Sequence, residues 1–173
     1  MPRLFAAAVL ICLFLPAGCG YHPAGAAAHL PDTVRTLAVP MFRNTTQSYH
    51  TEAALTQAVV RELSSRTSYH LVTGKSDDAD ATLEGTITGF RVSPLTYNSR
   101  TGQSSSFLIT IKASVKVVDR DGRVLYQNPS YLFRQQYETT QDLASFIQED
   151  NPAVERLARD FARSVVSDIL ESF

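Results

Sequence analysis

The sequence predicts an α+β domain, a single antiparallel-rich (mixed) sheet with two helices packed on one face. Three observations carry that expectation. Phe107 to Asp119 alternates with period two, with Phe107, Ile109, Ile111, Ala113, Val115 and Val117 on one side and Thr110, Lys112, Ser114 and Lys116 on the other, the pattern of a strand with one covered face. Two stretches recur at three and four instead: Ala54, Leu55, Ala58, Val59, Glu62 and Leu63 between His50 and Arg66, and Val154, Leu157, Ala158, Phe161, Ala162, Val165, Val166, Ile169 and Leu170 after Pro152. Each is a helix whose apolar stripe must cover something. Asp121-Gly122 lies between two strand-like runs and suits a two-residue type I′ hairpin turn, which needs positive φ at both positions.

Taken in order, Met1 to Cys19 reads as an export signal: Arg3, an apolar run from Leu4 to Leu15, then Pro16-Ala17-Gly18-Cys19. The run is too short for a stable membrane span, which needs ~20 apolar residues. Small residues followed by cysteine resemble a bacterial lipoprotein signal, so residues 1–18 are expected to be removed and Cys19 to carry a diacylglyceryl thioether and a further N-acyl chain. A plain signal cut after Ala17 or Gly18 leaves a free thiol instead. Removing eighteen residues from 173 leaves 155, enough for one domain with a sizeable core. Cys12 departs with the signal and Cys19 takes lipid, so neither of the two cysteines supplies a disulfide, a metal thiolate or a nucleophile. Two or more acyl chains anchor stably without a spanning helix. Gly20 stands where many Gram-negative lipoproteins retained in the inner membrane carry Asp, which points to the outer membrane. Cys19 and residues 20–32, rich in Gly, Ala, Pro and His, form a lipidated tether, and residues 33–173 the domain.

Val34 to Pro40 is a strand ended by proline, Phe42 to Thr46 a polar turn, His50 to Arg66 the first helix and Tyr69 to Val72 a short strand. Ser76 to Asp80 holds three aspartates but lacks the glutamate of a calcium loop, so it reads as a solvated turn. Ala81 to Val92 is a long strand with a bulge suggested near Gly89 and Phe90. Pro94 to Ser106 reads as an insertion between this strand and the next. A hairpin centred near Arg100 sets Glu84 against Lys116, Thr86 against Ser114, Thr88 against Lys112, Leu83 against Val117 and Ile87 against Ala113, and both faces then agree in character. From Val124 to Tyr137 a further strand puts Tyr126 across from Val117, bulges at Asn128-Pro129, and turns Tyr131, Phe133 and Tyr137 inward. Thr139 to Asp150 is a connection with a short helix near Leu143 to Ile147. Pro152 then starts the last helix, where its missing N–H is harmless.

The chain carries 16 Lys+Arg against 17 Asp+Glu, and loss of Arg3 leaves 15 against 17, so no nucleic-acid partner is indicated. The four histidines, at 22, 29, 50 and 70, lack metal-ligand spacing. With no nucleophile elbow and no phosphate-cradling glycine loop, no enzyme and no cofactor is expected beyond the lipid on Cys19.

Gly20-Tyr21-His22-Pro23 after a lipoprotein cysteine, then Leu37-Ala38-Val39-Pro40 with Phe42-Arg43-Asn44-Thr45 and a helix, is similar to the lipopolysaccharide-assembly lipoproteins of the LptE family. The likeness continues through Tyr97-Asn98 and Gly102, the alternating strand from Phe107, and Val118-Asp119 with Gly122 and Leu125. It implies an outer-membrane lipoprotein on the periplasmic face that plugs the LptD barrel and helps insert lipopolysaccharide into the outer leaflet. A hydrophilic sheet face suits a polar barrel lumen, though plain solvation is the simpler account of such a face. Phosphates call for cations, so Arg91, Arg100, Lys112 and Lys116 are the candidate lipopolysaccharide contacts, with a Glu84 pair as the simpler role of Lys116. The alternative is a lipid-anchored periplasmic activator or scaffold of a cell-wall synthesis complex. A tether of about a dozen residues reaches only a few tens of ångströms at ~3.3–3.6 Å per residue, which favours a partner in the same membrane.

Overall fold

In the computed structural model, residues 30–31, 33–97, 104–138 and 152–172 are described. The elements run β1 (Thr36–Val39), β2 (Arg43–Asn44), α1 (Thr51–Arg66), β3 (His70–Thr73), β4 (Ala81–Tyr97), β5 (Ser104–Asp119), β6 (Val124–Glu138) and α2 (Pro152–Glu171). They form one six-stranded mixed sheet of order β3-β1-β4-β5-β6, with β2 alongside β4. β1 runs parallel to both β3 and β4, a connection that needs a crossover, and α1 lies on that route. The expected α+β fold is the observed one.

The alternation along β5 does what its pattern demands. Phe107, Ile109, Ile111, Ala113, Val115 and Val117 are all buried, and they share a core with Leu55, Val59 and Leu63 of α1 and Leu157, Phe161, Val165 and Ile169 of α2. Phe161 is the hub of an aromatic cluster, its ring centroid 5.4 Å from Phe133, 5.9 Å from Tyr131 and 6.1 Å from Phe42. Edge-to-face arrangements at this spacing add to simple burial. A Cβ at Gly85 would come within 2.4–2.6 Å of three Phe42 ring carbons, so glycine there lets the ring lie on the sheet. Tyr131 donates to Asp168 Oδ2 at 2.7 Å and shares a 2.5 Å hydrogen bond with Tyr126. Burial, then those two partners, pushes the Tyr131 hydroxyl far above its ordinary range.

Several expectations are corrected. Phe42 to Thr46 is not a polar turn: Phe42 is buried, its N–H donates to Thr56 Oγ1 at 3.0 Å, and Arg43 and Asn44 pair with Thr86 and Ile87. The Asn44 amide donates to Ser48 O and Glu52 Oε2 while its oxygen accepts from Thr46. The chain is thereby bent from β2 into α1. Asp80 is not part of a solvated turn but a clamp, accepting the N–H groups of Arg35 at 3.0 Å and Thr36 at 2.9 Å and the Arg120 guanidinium at 3.0 Å. Leu30, assigned from sequence to the tether, is buried at 1% exposure in the core. In α2 it is Ala153 that is buried, with Val154 partly so.

The β5–β6 turn is not type I′. Gly122 has φ of 83° but Asp121 is not in the positive-φ region, and Gly122 N–H donates to Asp119 O while Asp119 N–H donates to Arg123 O. This is a three-residue turn closed by a glycine bulge. The Asp119 carboxylate selects it by accepting from Asp121 N–H, Arg123 N–H and Arg123 Nε.

The β4–β5 register agrees with expectation from Leu83↔Val117 to Ile87↔Ala113 and then slips, because Gly89, not Thr88, stands opposite Lys112. Thr88 is the extra residue of a bulge. Pro94 to Ser106 is no insertion at its ends, since Pro94 pairs with Phe107 and Thr96 with Ser106; proline is tolerated beside such an irregular register. Arg100 and residues 98–103 lie outside the described residues, as does the short helix expected near 143–147. On β6, Tyr126 pairs with Val117, and the register shift leaves Pro129 and Ser130 against Ser114, the bulge expected at Asn128-Pro129.

Candidate functional site

The two helices cover one face of the sheet, and the side chains that alternate with the core make up the other. Bulging at Thr88 decides what that open face carries. An unbroken strand would send Arg91 to the core side opposite Ile109; the extra residue instead sets Arg91 opposite Thr110 and hands the core positions to Phe90 and Val92. Re-aiming a side chain is a recurrent use of bulges. Thr110 in turn pairs with Arg134, and Lys112 with Gly89 and Leu132. Strands ~4.7–4.9 Å apart therefore place the Arg91, Lys112 and Arg134 backbones within about 10 Å of one another on a single face. All three side chains are exposed.

Gly89 has a specific part in this. A Cβ there would press on Lys112 Cβ at 3.3 Å and on its Cγ and Cδ at 3.5 Å, so the lysine stem lies across the glycine. The ammonium is directed by that support. Leu132 on the same face is 43% exposed, which gives the cations an apolar neighbour.

The four sequence candidates do not form one group. Lys116 pairs with Glu84 at 2.9 Å, the simpler of the two roles expected for it. Arg91 and Lys112 are brought together, Arg100 lies outside the described residues, and no ion pair to Arg91, Lys112 or Arg134 is found among the described residues. Two further cations escaped the sequence reading. Arg134 was deducible, because turning Tyr131 and Phe133 inward turns Arg134 outward. Arg43 was not, since only its parallel pairing with Thr86 puts it on this face.

Toward the Asp119–Arg123 turn the charges cancel in pairs. Arg120 meets Asp80 at 3.0 Å and Arg123 meets Asp119 at 2.8 Å. The backbone N–H groups of Thr36 and Arg35 hold the Asp80 carboxyl below its ordinary value, and Arg120 adds to the effect. Among the described residues no cluster of three metal-ligating side chains exists, and no helix is long and apolar enough to cross a membrane.

Residues 34–169 match the model of the LptE lipopolysaccharide-assembly family. The chain belongs to the LptE family. No curated protein matches it. Among solved structures it is similar to protein XCC0632 from Xanthomonas campestris, with TM-score 0.54 and 18% identity over 82% of this chain and 89% of that one. A candidate lipoprotein from Caulobacter crescentus gives TM-score 0.53 and 14% identity, covering 76% and 87% of the two chains. The rare lipoprotein B from Shewanella oneidensis gives 0.50 and 12%, covering 78% and 95%. At these identities the structures share the fold alone. The contacts give the Phe42-Arg43-Asn44-Thr45 stretch a physical meaning: Phe42 fills the core, Asn44 shapes the β2–α1 loop, and Thr45 donates both its N–H and its hydroxyl to Ile87 O. Of the four, Arg43 is left to face outward.

Proposed function

We propose that this chain is an outer-membrane lipoprotein, cleaved after Gly18 and lipidated on Cys19, that acts as plug and assembly partner of an LptD-like barrel and contacts lipopolysaccharide through its open sheet face. The observation that carries this reading is the group of unpaired cations, Arg91, Lys112 and Arg134, on that face of an LptE-family domain. Phosphate groups accept charge-assisted hydrogen bonds from such side chains, and these are roughly twice as strong as neutral ones. Leu132 beside them offers a surface for an acyl chain. Arg100 belongs to the proposed contacts by its place in the sequence between Arg91 and Lys112, and Lys116 has a lesser part because Glu84 already neutralises it. A face of Thr, Ser, Gln and cationic side chains also suits the polar interior of a large barrel. Two or more acyl chains on Cys19 would hold the domain at the membrane that contains this barrel.

The test is to tag the full-length protein, extract membranes in mild detergent and identify what copurifies stoichiometrically. A large outer-membrane β-barrel is expected. A cell-wall synthase in its place, or no partner, would overturn the reading.

A further inference from the structure

β3 stops before the strand it pairs with. Its ladder to β1 runs from His70 to Thr73; Gly74, at φ of 116°, then donates its N–H to Val39 O at 3.3 Å and turns the chain away. From Val39 the chain continues instead through Met41 into β2, and α1 touches both β2 and β3. The space left beneath α1 beyond the end of β3 is a crevice of about 520 Å³, in the range that holds a small ligand. It lies at the carboxyl ends of two parallel strands, a recurrent place for ligands in sheets of this kind. All the residues that line it, and their neighbours in sequence, are among the described residues.

The chemistry of the crevice divides between floor and rim. Val39 and Thr56 are its buried floor, and the Thr56 hydroxyl is already committed, accepting Phe42 N–H at 3.0 Å and donating to Glu52 O at 2.6 Å. Val60 and Met41 add apolar sides, Met41 at 61% exposure. Gln57 and Arg61 stand one turn apart on α1 at the exposed rim, and Lys75, also exposed, follows Gly74. No ion pair to Arg61 or Lys75 is found among the described residues. We propose that this crevice binds a free single-chain lipid acid, its apolar chain seated on Val39, Met41 and Val60 and its anionic head held at the rim by Arg61. An apolar floor with its one hydroxyl satisfied rejects polar ligands. The rim cation selects an anion through charge-assisted hydrogen bonds, and covering Met41 removes apolar surface from water. β3 stands at the opposite end of the strand order from β6, and α1 lies on the covered face, so the inference does not depend on lipopolysaccharide binding by the open face.

The test places the full chain in phosphatidylcholine nanodiscs and adds a dodecanoate carrying a photoreactive diazirine in its chain, or the trimethylammonium analogue of the same chain. Mass spectrometry maps the adducts. The carboxylate probe is expected to label residues 39–41 and 56–61, to be displaced by unlabelled dodecanoate, and to exceed the cationic probe there. The combined Arg61→Ser and Lys75→Ser variant should lose about tenfold of that labelling, as expected for loss of a hydrogen bond to a charged group, while keeping its circular dichroism spectrum. The combined Arg91→Ser, Lys112→Ser and Arg134→Ser variant should label as the parent does. Equal labelling by the two probes, adducts spread along the chain, or labelling indifferent to Arg61 and Lys75 overturns the inference. Displacement by lipopolysaccharide but not by dodecanoate also overturns it, in favour of an acyl chain of that larger lipid.

Discussion

The two ends of the β4–β5 hairpin use charge in opposite ways. At the Asp119–Arg123 end, Arg120, Arg123 and, a little further along, Lys116 each meet a carboxylate, and Asp80 ties that end to β1 through two backbone hydrogen bonds. Beyond the Thr88 bulge, Arg91 and Lys112 share a face with Arg134 and have no such partner among the described residues. The paired end holds the fold together, and the unpaired end is available to something else. Charge count alone does not distinguish them; the bulge does.

Deleting Thr88 should break this comparison most severely. Without the extra residue, Phe90 and Val92 leave the core and Arg91 is driven into it, at a cost of at least ~4 kcal/mol from lost burial and an uncompensated polar group. Denaturant unfolding should show a collapsed midpoint, and an unchanged one would mean that the bulge is incidental. Next in size is Tyr131→Phe, which leaves Asp168 without its hydroxyl donor beside the aromatic cluster. A loss of about 1–3 kcal/mol is expected by the same measurement.

Smaller effects sharpen the contrast. Replacing Arg91, Lys112 and Arg134 together with Ser should leave stability nearly unchanged and weaken lipopolysaccharide binding by the full chain roughly tenfold or more, tenfold being about 1.4 kcal/mol. Lys116→Ser should change that affinity little, since an exposed pair contributes only about 0–1 kcal/mol. Equal effects of the two variants would erase the distinction between the ends. The Asp80 clamp is tested by pH. Its folded-state value is depressed below the ordinary 3.8, so its contribution is full above that value and is lost as pH falls through the lower one. Asp80→Asn should therefore flatten the acid limb of a stability profile while Lys116→Ser leaves it in place.

Much of the fold was legible because one-residue slips are severe when one face is buried. Leu83↔Val117 and Ile87↔Ala113, the inward turn of Tyr131 and Phe133, and both helical stripes could be read from period alone. What escaped depended on contacts distant in sequence. Phe42 looks like a turn residue until Gly85 makes room for its ring, and Asp80 looks solvated until the start of β1 presents two N–H groups to it. The candidate site was half legible for the same reason: Arg91 and Lys112 were named, yet a Thr88↔Lys112 register would have pointed Arg91 inward, and Arg43 emerged only through its pairing.

By itself, then, the sequence determined the long strands and the two described helices and which side of each is apolar, because those patterns are local and repeat with the backbone's own period. Tertiary structure decided the position of the bulge, the parallel placement of β2 and the grouping of Arg91, Lys112 and Arg134, because each depends on a partner strand whose alignment is fixed only when the core closes.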